Sequence, residues 1–393
     1  MAYFDNAATT SIDEEVLNTY TNALKKYYNN PSATHRFGME GNNLLLSAKR
    51  QIAKYLSFTG CKEDEIILTS GATESNNLAI KGYVERYKKR GKHLITTKVE
   101  HPSVLNVYKN FEQSGYDVTY LDVTPSGIDE NALKSALRDD TILVSIMAVN
   151  NEVGAIEPVG EIGQYIKKVN KLAKIVKENS KAAFFTDATQ ALYKVSIDYR
   201  NCDLISFSAH KLHGLKGSGL LIKKNNIDLV PLLDGGGQEN GYRSGTTNLP
   251  TAIALATTFR RANQTYEQRV KNATALSSYL IEELEKIPEI SILPIKDKSP
   301  FILNFVMKEH KASVIAEALS RKDIMVSTKS ACSSKKVGGS YVLKAYGYDD
   351  YLSGNGIRLS FSGDESLEDG KTFMLALNEL LSSIRKDQQW TTI

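Results

Sequence analysis

Seven short apolar, β-branched runs alternate with longer amphipathic stretches between about residue 64 and residue 224. The runs are EIILTS (65–70), HLITTKVE (93–100), YDVTYLDV (116–123), TILVSIMAV (141–149), AAFFTDATQ (182–190), CDLISFSAH (202–210) and GSGLLIKK (217–224). Strands that are buried on both faces and separated by helices are typical of a mostly parallel sheet. The pattern therefore predicts an α/β fold built on a seven-stranded, mostly parallel sheet.

The pattern of predicted strands and helices changes after about residue 250. A long helix is predicted over roughly 251–287, and the later runs SILP, FILNFVM, IMVST and GIRLSFS alternate with helices in a smaller α+β pattern. A chain of 393 residues is long enough for two domains. We expect a large domain over residues 15–255 and a small domain formed by residues 1–14 and 256–393.

Composition and charge exclude several classes of protein. The net charge is only +4, and the basic residues are spread along the chain rather than clustered as in a nucleic-acid-binding stripe. The N-terminus does not resemble a secretory signal, and no apolar stretch reaches the ~18 residues of a membrane span. The three cysteines are odd in number, widely separated and not arranged as CxxC, which favours a reducing cytoplasm and no metal site.

Polar residues follow the predicted strands at the points where those strands end. In open α/β sheets, ligands bind beyond the carboxyl ends of the strands. The residues at these ends are Gly71 to Glu74, His101, Asn150 to Glu152, Asp187, Gln190 and Ser208 to Lys211. We therefore expect one ligand site at that edge of the sheet.

Each of these residues also has an ordinary structural interpretation. Thr73 or its neighbours could cap a helix, and His101 could complete a turn before a proline. Asp187 could cap the next helix, and Lys211 could be a solvated lysine. Their joint occurrence is what favours a common site.

Pyridoxal phosphate is a cofactor that needs this combination of groups. Its aldehyde forms a Schiff base with a lysine, for which Lys211 is the candidate. Its ring nitrogen needs a carboxylate such as Asp187, and its ring face needs a flat group such as His101. Hydroxyls and a helix N-terminus, here Thr73 with Ser208, can hold its phosphate.

The motifs in their order along the chain resemble those of the NifS/IscS-type cysteine desulfurases, in the long-loop group. The motifs are YFDNAATT, NPSATHRFG, TSGATESNNLAIKG, VEHPSV, SIMAVNNEVG, TDATQ, FSAHKLHGLKGSG, GGGQENGYRSGTTN and STKSACSSKK. The resemblance implies a fold-type-I pyridoxal-phosphate homodimer of the class V aminotransferase type. It also implies conversion of L-cysteine to L-alanine, with the sulfur left as a persulfide on the enzyme.

The resemblance also implies a role for each matching residue. Lys211 would hold the cofactor covalently, with Asp187 at the ring nitrogen, Gln190 at the phenolic oxygen and His101 stacked on the ring. The phosphate would be held by the Ala72 amide, Thr73, Ser208 and His210, and Thr246 would reach the phosphate of the partner subunit's cofactor. Asn151 would contact the cofactor, Asn151 and Arg358 would bind the substrate carboxylate, and Cys332 would accept the sulfur.

The surroundings of Cys332 support that role independently of the resemblance. The segment STKSACSSKKVGGS is rich in Ser, Gly and Lys, which predicts a mobile, cationic loop at about 329–340. Nearby lysines should lower the pKa of the Cys332 thiol and raise its thiolate fraction. The alternative is an incidental exposed cysteine. Cys202, at the start of an apolar run, and Cys61, in an expected surface turn, are interpreted as structural.

Other interpretations stay open on the sequence alone. The chain could be another enzyme of the same fold, such as an aminotransferase or a selenocysteine lyase, or a non-catalytic partner protein. The sulfur acceptor could be an iron–sulfur scaffold or a tRNA sulfurtransferase. Asn30, His35 and Arg36 suggest a second loop on the substrate side, without an assigned role for any of the three.

Overall fold

The computed structural model describes residues 1–176, 181–328 and 339–390, apart from the side chains of 172–176 and 385–390. Within these ranges the helices are α1 (Glu14–Lys26), α2 (Arg36–Tyr55), α3 (Ala72–Tyr87), α4 (Pro102–Gln113), α5 (Glu130–Ala136), α6 (Val159–Val176), α7 (Leu249–Glu285), α8 (Ala312–Ser320), α9 (Tyr341–Ala345), α10 (Asp350–Ser353) and α11 (Leu367–Trp390). In these same ranges, no helix is both long and apolar enough to cross a membrane.

The strands are short, and most of them are fully buried. They are β1 (Ala2–Tyr3), β2 (Ile66–Thr69), β3 (His93–Thr97), β4 (Asp117–Leu121), β5 (Val123–Thr124), β6 (Gly127–Ile128), β7 (Thr141–Ser145), β8 (Ala183–Asp187), β9 (Leu204–Ser208), β10 (Gly219–Lys223), β11 (Ile290–Ile292), β12 (Ile302–Met307), β13 (Ile324–Met325) and β14 (Gly356–Ser360). The strand β7 ends before the run TILVSIMAV does, although Ile146 still donates to the carbonyl of Phe185 in β8 at 3.1 Å.

Seven strands form the central sheet in the order β2-β10-β9-β8-β7-β3-β4. The strand β10 is antiparallel to both of its neighbours, and the other pairings are parallel. The predicted seven-stranded, mostly parallel sheet is confirmed.

Burial on both faces of the sheet explains why exposed polar residues do not alternate with apolar residues along these strands. In β9, Ile205 and Phe207 pack into the core on one face of the sheet, and Leu204 packs into the core on the other face. All five residues of β9 are buried. Since burying each large apolar side chain contributes roughly 1.5–3 kcal/mol, this strand holds its end in a rigid frame.

A second core lies around the three-stranded sheet β11-β12-β14. The helix α7 passes from one core to the other: residues up to Ala262 pack against the large sheet, and residues from Ala273 pack into the second core. The N-terminus returns to this region because β1 pairs in parallel with β13. The division at residue 255 remains a prediction, since α7 crosses that position without a break.

Cys61 does not lie in a surface turn, so that expectation is wrong. Its side chain is buried and packs in the core of the large sheet. Gly60, with a φ of 66°, turns the chain after a short 3-10 helix, and this turn directs Cys61 inward. Burial raises the pKa of the Cys61 thiol. Cys202 is also buried, as expected for a structural cysteine.

Candidate active site

A cavity of about 440 Å³ lies where β2, β3, β7, β8 and β9 end. These strands run in the same direction, so the residues that follow them meet at one edge of the sheet. The predicted site residues that line the cavity are Ala72, Thr73, His101, Asn151, Asp187, Gln190, Ser208, His210, Lys211 and Arg358. The structure therefore brings together ten residues that were predicted from the strand ends or from the resemblance to a family.

One predicted residue, Thr246, does not line this cavity, and another, Cys332, is not described by the structure. Thr246 lies in a neighbouring cleft that shares Ser70 and Gly217 with the cavity. Cys332 lies outside the residues that the structure describes, as do the nearby Lys329, Lys335 and Lys336. The roles of Thr246 and Cys332 remain predictions.

Lys211 ends a 3-10 turn, Ala209–Lys211, directly after β9. Its Nζ donates to the carbonyl oxygen of Ala7 at 2.6 Å and also to that of Ala8. The N-terminal segment therefore closes one side of the cavity against the lysine. YFDNAATT is one of the motifs, but the sequence predicted no role for Ala7 or Ala8. A contact through a backbone carbonyl does not depend on the type of side chain, so it leaves no pattern in the sequence.

Asp187 is the last residue of β8 and its side chain is almost fully buried. One carboxylate oxygen accepts from Asn76 Nδ2 at 2.8 Å, and the other accepts from the Thr189 amide at 3.0 Å. Asp187 thus shapes the turn after the strand and also faces the cavity. Two hydrogen bonds fix this carboxylate in place, as a partner for a protonated ring nitrogen requires.

His101 caps the helix α4 and also forms a wall of the cavity. It precedes α4, and its Nδ1 accepts from the Ser103 amide at 3.2 Å and contacts Ser103 Oγ at 2.7 Å. Burial lowers the pKa of the imidazole, Asp187 opposes this shift, and Lys211 adds to it. Because Nδ1 accepts from a backbone N–H, the neutral ring carries its proton on Nε2.

The N-terminus of α3 forms an anion cradle at one end of the cavity. Gly71 is the N-cap, with a φ of 146° and no side-chain hydrogen bond to the helix, so Thr73 is not the cap. A Cβ on Gly71 would come within 3.3 Å of Ser208 Oγ. The amides of the first turn of α3, together with the hydroxyls of Thr73 and Ser208, form the kind of site that binds a phosphate.

His210 lies beside this cradle and is held by the N-terminal segment. Its Nδ1 contacts Thr9 Oγ1 at 3.1 Å. Burial, reinforced by Lys211, lowers the pKa of the imidazole to about 4. The ring is therefore neutral at physiological pH and can act as a hydrogen-bonding group at the cradle.

Arg358 lies in β14 and reaches the cavity from the second core. Its Nη1 donates to the Asn151 carbonyl at 2.8 Å, and its Nη2 donates to Asp5 Oδ1 at 2.7 Å. The side chain is only 3% exposed. Among the described residues, neither Arg358 Nε nor Asn151 Oδ1 has a hydrogen-bond partner. Arg358 Nε is therefore a buried donor available to a carboxylate at this end of the cavity, and Asn151 Oδ1 is a buried acceptor available to an N–H of a ligand.

Gln190 lies on the turn that follows β8. Its Nε2 donates to the Ala7 carbonyl at 3.0 Å, and its Oε1 accepts from Lys194 Nζ at 2.9 Å. Lys194 is buried and was not identified from the sequence. The amide of Gln190 is thus held at both of its polar atoms.

Asn30, His35 and Arg36 do not line the cavity. His35 caps α2, since its Nδ1 accepts from the Gly38 amide at 3.1 Å. The Arg36 side chain is largely exposed. The expected substrate-side loop is therefore not part of the cavity of this chain.

The cavity fits pyridoxal phosphate by its chemistry and by its buried polar atoms. It combines a lysine amine, a fixed carboxylate, a neutral imidazole and a helix N-terminus. Within the described part of the chain, the cavity-lining Thr189 Oγ1 also lacks a hydrogen-bond partner, like Asn151 Oδ1 and Arg358 Nε. Polar atoms of a bound cofactor and substrate would satisfy these groups.

Several known proteins are similar to this chain over nearly its whole length. Residues 2–373 match the family described as aminotransferase class-V. The chain is 38% identical over 392 residues to a NifS/IcsS protein homolog of Lactobacillus delbrueckii subsp. bulgaricus, covering 98% of both chains. It is 38% identical over 397 residues to the cysteine desulfurase IscS of Dictyoglomus turgidum, covering 99% of this chain and 97% of the relative.

A solved structure of a NifS-like protein has the same fold. It superposes with a TM-score of 0.88 at 34% sequence identity, covering 97% of this chain and 99% of the other. The family match, the relatives and this structure agree with the motifs read from the sequence. The chain therefore belongs to the class V aminotransferase family, among its NifS/IscS-type cysteine desulfurases.

Proposed function

We propose that this chain is a pyridoxal-phosphate-dependent cysteine desulfurase that converts L-cysteine to L-alanine and takes the sulfur as a persulfide on Cys332. The observation that supports this function best is the convergence of Lys211, Asp187, His101 and Arg358 on one cavity. Lys211, Asp187 and His101 come from three strand ends of the large sheet, and Arg358 comes from β14 of the smaller sheet, so their meeting depends on the fold.

Four residues would hold the ring of the cofactor. Lys211 Nζ would bind the aldehyde carbon, and Asp187 would pair with the ring nitrogen. Gln190 would donate to the phenolic oxygen, and the neutral imidazole of His101 would face the ring. When bound, pyridoxal phosphate supplies an electron sink that weakens bonds at the α-carbon of an amino acid.

The phosphate would lie in the cradle at the start of α3. The amides of Ala72 and Thr73, the Thr73 and Ser208 hydroxyls and the neutral His210 ring provide its donors. Glycine at position 71 keeps the entrance open, since a side chain there would approach Ser208.

Arg358 and Asn151 would orient the substrate. The guanidinium binds the α-carboxylate, for which a planar fork of donors is well matched. The α-carbon would then lie near Lys211, whose Nζ could accept the α-proton. Two backbone carbonyls, of Ala7 and Ala8, receive the lysine on one side of the cavity.

Cys332 would then accept the sulfur. Its thiolate forms a bond to the substrate sulfur while the carbon–sulfur bond breaks, and the electron pair of that bond stays with the carbon. Protonation of this carbon gives alanine. Cys61 and Cys202 are unsuited to the step, because burial raises the pKa of both thiols.

The chain would act as a cytoplasmic homodimer that passes its sulfur to an acceptor protein, either an iron–sulfur scaffold or a tRNA sulfurtransferase. The position of Thr246 supports the dimer, because it lies in a cleft beside its own cavity rather than inside it. Thr246 is thus available to the phosphate in the partner subunit. The two described cysteines are free and buried, as suits a reducing compartment.

The test is the stoichiometry of the products. Protein loaded with pyridoxal phosphate is incubated with L-cysteine and a thiol reductant, and alanine and sulfide are measured together. Equal amounts are expected from the unmutated chain and from the control Ser333→Ala, and neither product from Lys211→Ala or Cys332→Ala. Full sulfide release by Cys332→Ala would refute the persulfide step. Amino transfer to a keto acid without sulfide would show an aminotransferase instead.

A further inference from the structure

Lys194 is a buried amine that takes no part in the proposed reaction. The residue is only 4% exposed and does not line the cavity. Its Nζ donates to Gln190 Oε1 at 2.9 Å. Among the described residues, no carboxylate forms an ion pair with it. A buried amine without a carboxylate partner is costly, so its presence calls for a physical reason.

The charges around Lys194 make its position less favourable still. Five charged or titratable groups interact electrostatically with the Lys194 amine: Lys211, Arg358, His210, His213 and Glu365. Glu365 is the carboxylate among them, and its oxygens already accept from Asn6 and from Ser362. Burial, followed by Lys211 and Arg358, lowers the pKa of the Lys194 amine to about 7.

The hydrogen bond to Gln190 determines which way its amide faces. A protonated lysine amine only donates, and the neutral amine that forms above the lowered pKa can still donate one of its N–H groups, so the atom of Gln190 that meets Lys194 is assigned as the oxygen. The other end, Nε2, then carries two N–H groups, of which one is given to the Ala7 carbonyl at 3.0 Å. The second N–H is left to face outward from this arrangement, and Gln190 lines the cavity.

We propose that Lys194 is a positioning residue that locks the Gln190 amide with its nitrogen, rather than its oxygen, presented to the phenolic oxygen of the cofactor. This inference rests on the proposed function, in which Gln190 meets that oxygen. The same Ala7 carbonyl accepts from Gln190 and from Lys211, so the amide and the cofactor-binding lysine share one anchor.

The expected effect is on the acidity of the bound cofactor. An N–H given to the phenolic oxygen draws electron density from it, so this oxygen holds the neighbouring Schiff-base proton less strongly. Lys194→Met removes the lock and allows the amide to turn its oxygen toward the ring. The midpoint of the pH-dependent change in the visible absorption band should then rise by about one pH unit, the equivalent of one hydrogen bond to a charged group.

A double-mutant cycle separates orientation from charge. Gln190→Ala should raise the midpoint by a similar amount, and adding Lys194→Met to it should produce no further rise. If Lys194 acted through its charge alone, its substitution would shift the midpoint equally in both backgrounds, and the proposal would be overturned. Lys223→Met is the matched control, because Lys223 is also 4% exposed but lies on β10, bonded to the Ile227 carbonyl at 2.8 Å. It should leave the midpoint unchanged.

Melting of the cofactor-free variants distinguishes this role from a structural one. Replacing an unpaired buried amine by an apolar chain of similar size should not lower the melting temperature, whereas a lysine that holds the fold together would do so. Lys194→Leu serves as the second variant if Lys194→Met does not fold. An unmutated chain that develops no visible band with pyridoxal phosphate would refute the proposed function. An unmutated chain that titrates while Lys194→Met keeps its midpoint would refute this inference alone.

Discussion

Arg358→Lys changes the shape of the proposed carboxylate clamp while keeping its charge. The guanidinium now holds the Asn151 carbonyl at 2.8 Å and Asp5 at 2.7 Å, and its Nε is free for a ligand among the described residues. A lysine offers one ammonium, which cannot keep both protein contacts and also bind a carboxylate in two places. The loss of one hydrogen bond to a charged group is roughly 1.5–3 kcal/mol, or a roughly 10- to 150-fold decrease in kcat/KM.

The decrease should appear mainly as a higher KM for L-cysteine. The carboxylate does not react, so the clamp binds it about equally in the ground state and in the transition state. Initial rates of alanine formation over a range of L-cysteine concentrations measure both constants. Arg269→Lys is the matched control: Arg269 forms a two-point pair with Asp364, at 3.0 Å for each contact, and does not line the cavity. A kcat/KM for Arg358→Lys within twofold of the control would refute the clamp.

Three further predictions follow from packing and burial. Phe207→Ala, at a fully buried position in β9, should lower the free energy of unfolding by about 3–5 kcal/mol, against under about 0.5 for the exposed Tyr28→Ala, both measured by urea denaturation. Gly219→Ala should weaken binding of pyridoxal phosphate, followed by absorbance titration, because the added Cβ would lie 2.5 Å from the Phe207 carbonyl and 2.6 Å from Gly71 Cα. Burial raises the pKa of Glu100 to about 8, so its contribution to stability is complete below its unfolded value of 4.5 and is lost as the pH rises toward 8. The stability of the unmutated protein should therefore fall by roughly 1.4 kcal/mol per pH unit over this window relative to Glu100→Gln.

Each of these three predictions has an outcome that contradicts it. Equal unfolding midpoints for Phe207→Ala and Tyr28→Ala would show that β9 does not support the site. Unchanged cofactor affinity in Gly219→Ala would mean that the cradle tolerates a shift of Gly71. Parallel stability profiles for the unmutated protein and Glu100→Gln between pH 5 and pH 8 would show that Glu100 is ionised in the folded state.

The strand ends could be predicted because the strands, and the polar residues that follow them, both form local patterns in the sequence. Short apolar runs bounded by polar residues give the sheet, and parallel strands necessarily end at the same edge. These local patterns are enough to place His101, Asp187 and Lys211 in one site. Arg358 came instead from the resemblance to a family.

The remaining features depend on contacts between distant parts of the chain. Ala7 and Ala8 meet Lys211 through backbone carbonyls, which have no side-chain signature in the sequence. Lys194 resembles a surface lysine until the packing around it is known. Cys61 points inward because Gly60 adopts a left-handed conformation, which the sequence pattern did not reveal. Tertiary contacts of this kind are what single-sequence patterns lack.

The most direct test of the account is to locate the sulfur after one turnover. Loaded protein is given a limiting amount of L-cysteine without reductant, its thiols are alkylated, and its peptides are analysed by mass spectrometry. The proposed mechanism predicts the added mass of one sulfur atom on the peptide that contains Cys332, with alanine formed in equal amount and no such mass on Cys61 or Cys202. Alanine formation with an unmodified Cys332, or a persulfide on either buried cysteine, would contradict it.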